Sequence, residues 1–183
     1  GDGEYGSIGN GSNDDKYSPV FVGDITNAKK ISGSSGYSRH NCIITSDGRI
    51  KCWGLGENYQ LGNGRNENNN RPVDVMNITT AIDVGTGYNF TCALLDNKTI
   101  QCWGNGQVGQ MGNGSYDNKI TPVSVSNINT AKALSVGGGH ACTLLDNKSV
   151  QCWGYNSDGQ LGKVTSYNSS STPVTVDNLT NVT

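Results

Sequence analysis

The stretch CTLLDNKSVQCWG, from Cys142 to Gly154, decides the fold of this chain because two closely similar stretches precede it. These are CIITSDGRIKCWG, from Cys42 to Gly54, and CALLDNKTIQCWG, from Cys92 to Gly104, so the period is about 50 residues. All six cysteines and all three tryptophans lie in these stretches. Rare residues do not recur at a fixed spacing by chance, so the chain is a tandem repeat.

Each stretch predicts a β-hairpin between its two cysteines, because two short apolar runs flank a central Asp, Asn or Gly. Ser46-Asp47-Gly48 suits a three-residue loop with glycine in the left-handed position. Lys98 and Lys148 stand where the first copy has Gly48, and they predict a different turn in the later copies.

Strand alternation gives both faces of each hairpin apolar side chains. In the first copy Cys42, Ile44, Ile50 and Cys52 share one face, and Ile43, Thr45 and Trp53 share the other. A hairpin that is apolar on both faces needs a neighbour on each side. We therefore predict that Trp53, Trp103 and Trp153 fill the space between consecutive repeats as a blade core.

Two further strands complete the predicted repeat. A Val-x-Val step follows each of Pro19, Pro72, Pro122 and Pro173. Proline is harmless at the first residue of a strand, so we expect a strand to begin there. Another pair of apolar segments leads into Gly85 and Gly137, and glycine suits a narrow inner end where backbones crowd. The prediction is an all-β fold with four short strands per repeat and no significant helix.

The cysteines indicate an oxidising compartment. Only pairing within each repeat treats the three copies alike, which predicts the disulfides Cys42–Cys52, Cys92–Cys102 and Cys142–Cys152. Zinc is the rival interpretation, but zinc sites favour close pairs such as C-x2-C with histidines nearby, and this chain has two histidines. Disulfides predict an extracellular, periplasmic or cell-surface location.

Composition excludes several classes of function. The formal charge of -2 gives no electrostatic footprint for nucleic acid. No stretch approaches the roughly 20 apolar residues of a spanning helix, so we expect no direct membrane insertion. Two G-x-G-x-x-G matches, Gly1 to Gly6 and Gly104 to Gly109, lack the following helix that a dinucleotide site requires, and they are interpreted as repeat turns.

No catalytic constellation stands out, so we predict a non-enzymatic protein without cofactor or metal. His40 and His140 share a repeat position with Phe90, which favours packing over base catalysis. Asp47, Asp96 and Asp146 lie at the predicted hairpin tips, where turn formation is favoured over calcium binding because no calcium-loop spacing is present.

The N-x-S/T acceptor pattern is frequent, and possible N-glycosylation sites follow from it. They are Asn10, Asn77, Asn89, Asn97, Asn113, Asn147, Asn168, Asn178 and Asn181. A composition rich in Asn, Ser and Thr also generates the pattern freely, so both interpretations stay open.

The pattern from Gly137 to Gly162, with its Cys-Trp-Gly and Gly-Gln-Leu-Gly steps, closely resembles the regulator of chromosome condensation repeat. The resemblance extends over essentially the whole chain. It implies a β-propeller, commonly of seven blades, and versions with this cysteine pair resemble an extracellular branch found in secreted and surface proteins. It implies little about function, because the scaffold serves many roles.

The repeat register predicts a partial propeller arc of about three and a half four-stranded blades. The expected divisions are 1–22 for the trailing half of a preceding repeat, 23–75, 76–125 and 126–176 for three repeats, and 177–183 for the start of another. We expect the exposed ends of such an arc to be covered by neighbouring subunits or by the rest of a longer propeller chain.

The leading prediction of function is a non-enzymatic extracellular module that recognises a protein or glycan, or assembles into a larger surface structure. The alternative is a secreted inhibitor or regulator that binds an enzyme or receptor through propeller-face loops. Tyrosine is favoured at interfaces. The candidate contacts are Tyr5, Tyr37, Tyr59, Tyr88, Tyr116, Tyr155 and Tyr167.

Overall fold

The computed structural model describes residues 1–23, 25–33, 39–163, 168–179 and 182. These residues form three four-stranded antiparallel sheets. The first holds β1 (Ala28–Gly33), β2 (His40–Thr45), β3 (Ile50–Gly54) and β4 (Asn69–Asp74). The second holds β5 (Ala81–Thr86), β6 (Phe90–Leu95), β7 (Ile100–Gly104) and β8 (Lys119–Ser124). The third holds β9 (Ala131–Val136), β10 (His140–Leu145), β11 (Val150–Tyr155) and β12 (Ser169–Thr175).

The strands of each sheet follow one another as a simple meander, and the sheets stack as propeller blades. Strand β5 contacts β1 and β2, and β9 contacts β5 and β6, so the first strand of each blade lies innermost. A Cβ added to Gly85 of β5 would lie 2.5 Å from Cγ2 of Val136, the last residue of β9. The predicted all-β propeller arc is confirmed, with three complete blades in the described residues.

Helix is nearly absent from the described residues, where the one helical element is a 3-10 turn at Glu4–Gly6. No helix among these residues has the length and apolar character needed to cross a membrane.

A disulfide staples the central hairpin of every blade. The paired cysteines are Cys42–Cys52, Cys92–Cys102 and Cys142–Cys152, and each pair lies in direct cross-strand register. The cysteine face of one blade packs against the tryptophan of the next. Cys42 and Ile44 share a buried cluster with Trp103, and Cys92 and Leu94 share one with Trp153.

The hairpin turns correct one prediction. In the first blade Gly48 has φ +78° and its N–H donates to the Thr45 carbonyl, as expected. Lys98 and Lys148 adopt the same conformation with φ 65°, and their backbone N–H groups donate to the carbonyls of Leu95 and Leu145. The expectation of a different turn was wrong, because the paired strands impose one geometry at the cost of placing a lysine in the left-handed region.

The prolines correct a second prediction. Pro72, Pro122 and Pro173 lie inside the outermost strands β4, β8 and β12 rather than at their starts. In the first blade the register shifts between the pairs Cys52↔Val73 and Gly54↔Asn69, so Pro72 occupies an irregularity on an edge strand, where a missing N–H is tolerated. Residues 20–22 after Pro19 form no strand. The proline strand of each blade pairs with the hairpin that precedes it, and the first hairpin of this chain lies after residue 22.

Candidate functional site

The connections between the first and second strands, and between the third and fourth, leave every blade from the same end. Three backbone hydrogen bonds join these connections at equivalent positions: Leu55 N–H to Arg39 O, Asn105 N–H to Asn89 O, and Tyr155 N–H to Gly139 O, at 2.8 to 2.9 Å. We call this surface, formed by residues 1–16, 39, 55–68, 87–89, 105–118, 137–139 and 155–163, the loop face. It is the candidate functional site.

Tryptophan holds the loop face to the blades. The indole Nε1 of Trp103 donates to the Gln60 carbonyl at 2.9 Å, and that of Trp153 donates to the Gln110 carbonyl at 2.9 Å. Trp53 makes the same bond to Ser7 at 3.0 Å. A Cβ at Gly62 would lie 2.6 Å from Nε1 of Trp103, so the loop passes close to the ring. Each long loop is thereby fixed to the following blade.

A charged aromatic cluster lies at the start of the loop face. The Arg39 guanidinium lies over the Tyr5 ring, 4.9 Å from its centroid, and also pairs with the Glu4 carboxylate. A hydrogen bond with Glu4 and the negative charge of that residue raise the pKa of the Tyr5 hydroxyl above its ordinary value, while Arg39 opposes the shift. Tyr5 was a predicted contact residue, but its contact with Arg39 was not predicted, because two residues so distant in sequence leave no local pattern.

His40 is placed for packing. It is fully buried, and its Nε2 lies 2.9 Å from Oγ1 of Thr91, which itself donates to the Gln60 carbonyl. Burial lowers the pKa of His40 from 6.5 to about 3, so the ring is neutral at physiological pH. Burial also lowers the pKa of the half-buried His140. Neither imidazole lies in a cluster that could hold a metal ion among the described residues.

The hairpin tips lie on the opposite face. There the Asp47 carboxylate accepts a hydrogen bond from Thr45 Oγ1 and pairs with Arg49, while Asp146 pairs with Lys98 of the preceding blade. The hydrogen bond from Thr45 is the main cause that holds the pKa of Asp47 below its ordinary value. These carboxylates serve turns and ion pairs.

A cleft opens on the loop face between the second and third blades. Its volume is about 390 Å³, and its walls include Tyr88, Asn89, Asn105, Gln110, Gly138 and Tyr155. Tyr88 is 45% exposed. The sequence prediction named both tyrosines as contacts but not their meeting in one cleft, although the run of three glycines at 137–139 is a signal of open space.

A second surface is the cysteine face of the third blade, which we call the end face. It includes Cys142, Leu144 and Val150, which line an apolar cavity of about 190 Å³. All three residues are partly exposed. Their counterparts Cys92, Leu94 and Ile100 in the second blade are at most 1% exposed beneath Trp153.

The predicted site residues are distributed unevenly. Tyr5, Tyr59, Tyr88, Tyr116 and Tyr155 lie on the loop face, while Tyr37 and Tyr167 lie outside the described residues. Among the acceptor asparagines, Asn77, Asn97, Asn147, Asn168 and Asn178 are exposed and Asn10, Asn89 and Asn113 are half-buried, and Asn181 lies outside the described residues.

Comparison with known proteins identifies the repeat. Two models described as "Regulator of chromosome condensation (RCC1) repeat" match, one over residues 47–94 and 101–145, which is about half of the chain, and the other over 31–60, 81–110 and 131–160.

Among curated relatives, the E3 ubiquitin-protein ligase HERC2 of Mus musculus is 31% identical over 96 residues, which are 51% of this chain and 2% of that protein. The Regulator of chromosome condensation of Homo sapiens is 36% identical over 76 residues, which are 40% of this chain and 17% of that protein. The chain thus spans less than a fifth of either relative.

The crystal structure of Prp20p from Saccharomyces cerevisiae superposes with a TM-score of 0.74 at 16% identity, over 85% of this chain and 39% of that one. This likeness concerns the fold, and it agrees with the stacking of three four-stranded blades. The fold and the match to the repeat model lead to the same conclusion: the chain belongs to the regulator of chromosome condensation repeat family.

Proposed function

We propose that this chain is a non-enzymatic propeller module that binds a protein partner through its loop face in an oxidising compartment. The observation that carries the proposal is the gathering of five tyrosines on that one face. Tyr116 is 50% exposed and Tyr88 is 45% exposed, so both rings offer large contact areas that are held on a rigid scaffold. Tyrosine and arginine are enriched among residues that dominate binding energies, and Arg39 lies beside Tyr5 on the same face.

The loops differ in sequence between blades that share one structure, and this difference supports a role in recognition. The third and fourth strands of each blade are joined by long loops of differing sequence, while the core positions repeat. Binding residues concentrate on loops that a rigid scaffold positions. The solved relative Prp20p is described by its binding to Gsp1p and histones, which supports use of this scaffold for protein contacts. Neither the formal charge nor the disulfides of the present chain favour Gsp1p or histones as its own partner.

The compartment is proposed from the three disulfides. All six cysteines are paired within their own blades, an arrangement that persists in secreted, periplasmic or surface proteins. Native protein purified without reductant should show no reactive thiol, and its mass should rise by two hydrogens per bond after reduction. Free thiols in that preparation would remove the support for an oxidising compartment.

The end face supports assembly as a second part of the proposal. Leu144 and Val150 present the same apolar surface that the first two blades bury under a tryptophan of the next blade. A further blade of this kind, from a neighbouring subunit or from a longer chain, would fit it. A monodisperse, cooperatively folding monomer of these 183 residues would contradict the need for such a neighbour.

Selection of peptide ligands tests the loop face. Peptides selected from a random phage library against the disulfide-intact protein should lose most of their binding when Tyr88 and Tyr116 are both replaced by Ala. The matched control is Ile120→Ala, which alters a side chain of equal exposure, 51%, on an outer edge strand. If the selected peptides bind the tyrosine variant unchanged and lose binding to Ile120→Ala, the edge strand and not the loop face is the recognition surface.

A further inference from the structure

The cleft between the second and third blades differs in composition from its counterpart one repeat earlier. By the repeat equivalence of the three loop hydrogen bonds, Gly138 and Gly139 stand where the previous boundary has Tyr88 and Asn89. This cleft has Tyr155 on its third-blade side where the earlier one has Asn105 on its second-blade side. It has Asn105 on its second-blade side where the earlier one has Leu55 on its first-blade side. Scaffold requirements common to all repeats therefore do not explain these residues, which points to a role in binding.

Two tyrosine rings form walls that are fixed before any ligand arrives. The Tyr88 N–H donates to the Gly138 carbonyl at 2.9 Å, and a Cβ at Gly138 would lie 2.5 Å from Cζ of the Tyr88 ring. The ring thus packs against bare backbone that only glycine leaves accessible. The Tyr155 N–H donates to the Gly139 carbonyl of its own blade at 2.9 Å, and a Cβ at Gly139 would lie 3.7 Å from Cγ of the Tyr155 ring. Preorganised walls reduce the ordering cost of binding.

Amide groups supply the polar part of the cleft. Oδ1 of Asn105 accepts hydrogen bonds from Gln107 N at 3.1 Å and Gln110 Nε2 at 3.3 Å, and Oδ1 of Asn89 accepts from Gln60 Nε2 at 3.5 Å. The Nδ2 groups of Asn89 and Asn105 donate to no acceptor in the described part of the chain. Each NH2 group carries two protons, so donors are available to a bound molecule.

The lining also fixes the charge of the ligand. Among the described residues it consists of tyrosine, asparagine, glutamine, valine and glycine, with no acidic or basic side chain. Charged ligands require a paired charge or good solvation, and the cleft gives them no counter-charge. The volume of about 390 Å³ lies in the lower part of the range of small-molecule sites, roughly 300 to 1,000 Å³.

We propose that this cleft binds a neutral saccharide. A sugar ring presents an apolar C–H face, which stacks on an aromatic ring, and hydroxyl oxygens at its rim, which accept hydrogen bonds from amide NH2 groups. The cleft brings two tyrosines together with Asn89 and Asn105 in one lining. An extended proline-rich peptide also uses aromatic walls, but it binds along a longer groove. The saccharide site shares Tyr88 and Tyr155 with the loop face, but it does not depend on the proposed protein contact.

The sugar has two possible sources, because Asn89 itself begins an Asn-Phe-Thr acceptor sequence. One source is a glycan of the surroundings or of a partner, and the other is a glycan attached to Asn89 of the same chain. Protein made in a bacterial periplasm, without N-glycans, measures the first source alone. Protein made in eukaryotic secretory cells and compared before and after glycosidase treatment measures the second.

NMR titration of the unglycosylated protein tests the proposal. Glucose, galactose, mannose, N-acetylglucosamine and their β-linked disaccharides are each added up to about 50 mM, a range that covers millimolar dissociation constants. At least one sugar should produce saturable shifts in the amide signals of Gly138 and Gly139 and in the side-chain NH2 of Asn105. If the chain's own glycan occupies the cleft, added sugar should shift these signals in the eukaryotic product only after glycosidase treatment.

Variants define the specificity of that test. Asn105→Leu introduces the residue already present at the equivalent position 55, so the fold should tolerate it, and affinity should fall about tenfold or more. Tyr155→Ala should have a similar effect, whereas Tyr116→Ala, on the loop face but outside the cleft, should leave affinity unchanged. The proposal is overturned if no neutral sugar shifts these signals, if only a proline-rich peptide or an acidic sugar does, or if Asn105→Leu binds as the natural chain does.

Discussion

His40, Phe90 and His140 occupy one repeat position, yet their surroundings give them different properties. His40 is fully buried and bonded to Thr91, Phe90 is buried at the same place in the second blade, and His140 is half-buried in the third. The position therefore requires a planar ring rather than a base. In the two blades that carry histidine at this position, burial of the ring makes the free energy of unfolding depend on pH.

Replacement of His40 by Phe should remove part of that dependence. The folded-state pKa of about 3 lies below the ordinary 6.5, so between these values the unfolded chain binds the extra proton. The stabilisation from His40 is fully present above pH 6.5 and falls as the pH drops towards 3, by up to about 1.4 kcal/mol per pH unit.

Urea denaturation at several pH values between 7 and 4 measures this slope. His40→Phe should show a shallower loss of the free energy of unfolding than the natural chain, and His140→Phe should change the slope less. Equal slopes for the natural chain and His40→Phe would mean that His40 is protonated while the protein is folded.

Lysine in a left-handed turn offers a second test at the scale of one residue. Lys148 has φ 65°, a conformation that costs an ordinary residue about 1–2 kcal/mol, and the first blade has glycine there. Because glycine loses more conformational entropy on folding, Lys148→Gly should raise the free energy of unfolding by only about 0.5–1 kcal/mol. Lys148→Ala, which keeps the strain, is the control, and an equal gain for Ala would remove the strain explanation.

At the scale of an element, the link between blades is the tryptophan of each third strand. Trp103 fills the cysteine face of the first blade, and its Nε1 donates to the Gln60 carbonyl of the loop face. One side chain thus fixes both the stacking of two blades and the conformation of a binding loop. Stability and recognition are coupled at this residue.

Two substitutions at Trp103 separate these roles. Trp103→Phe keeps most of the packing and removes the bond to the Gln60 carbonyl, which still accepts from Thr91, so the loss should be about 0.5–1.5 kcal/mol. Trp103→Ala also leaves a cavity and should cost about 3–5 kcal/mol, measured by chemical denaturation. Should both variants lose the same free energy, the hydrogen bond and not packing would dominate.

Local patterns predicted the hairpins well, because the cysteines and the turn residues of a hairpin lie close together in the sequence. The loop at Gly48 and the alternation around Cys42 required no knowledge of distant residues. Prediction failed where a neighbour overrides local preference: the strand pairing imposes a left-handed turn on Lys98, and β4 begins before Pro72 because β3 supplies a partner for Asn69. The cleft escaped prediction for the same reason, since Tyr88 meets Gly138 only through blade stacking.

The whole molecule is a stack of blades in which each cysteine face is shaped to receive the tryptophan of a following blade. The first two cysteine faces are covered in this way, whereas the end face is partly exposed. An apolar surface of this kind favours contact with another protein surface. The loop face is carried by the same stack, so recognition depends on its integrity.

One pair of substitutions tests this central claim. Leu94 and Leu144 are equivalent residues of β6 and β10, but Leu94 is 1% exposed beneath Trp153 while Leu144 lies partly exposed on the end face. The measurement is the free energy of unfolding of Leu94→Lys and Leu144→Lys, with sedimentation of each variant. We expect Leu94→Lys to lose at least about 3 kcal/mol or to fail to fold, while Leu144→Lys stays folded and self-associates less than the natural chain. Equal destabilisation by the two substitutions would contradict it.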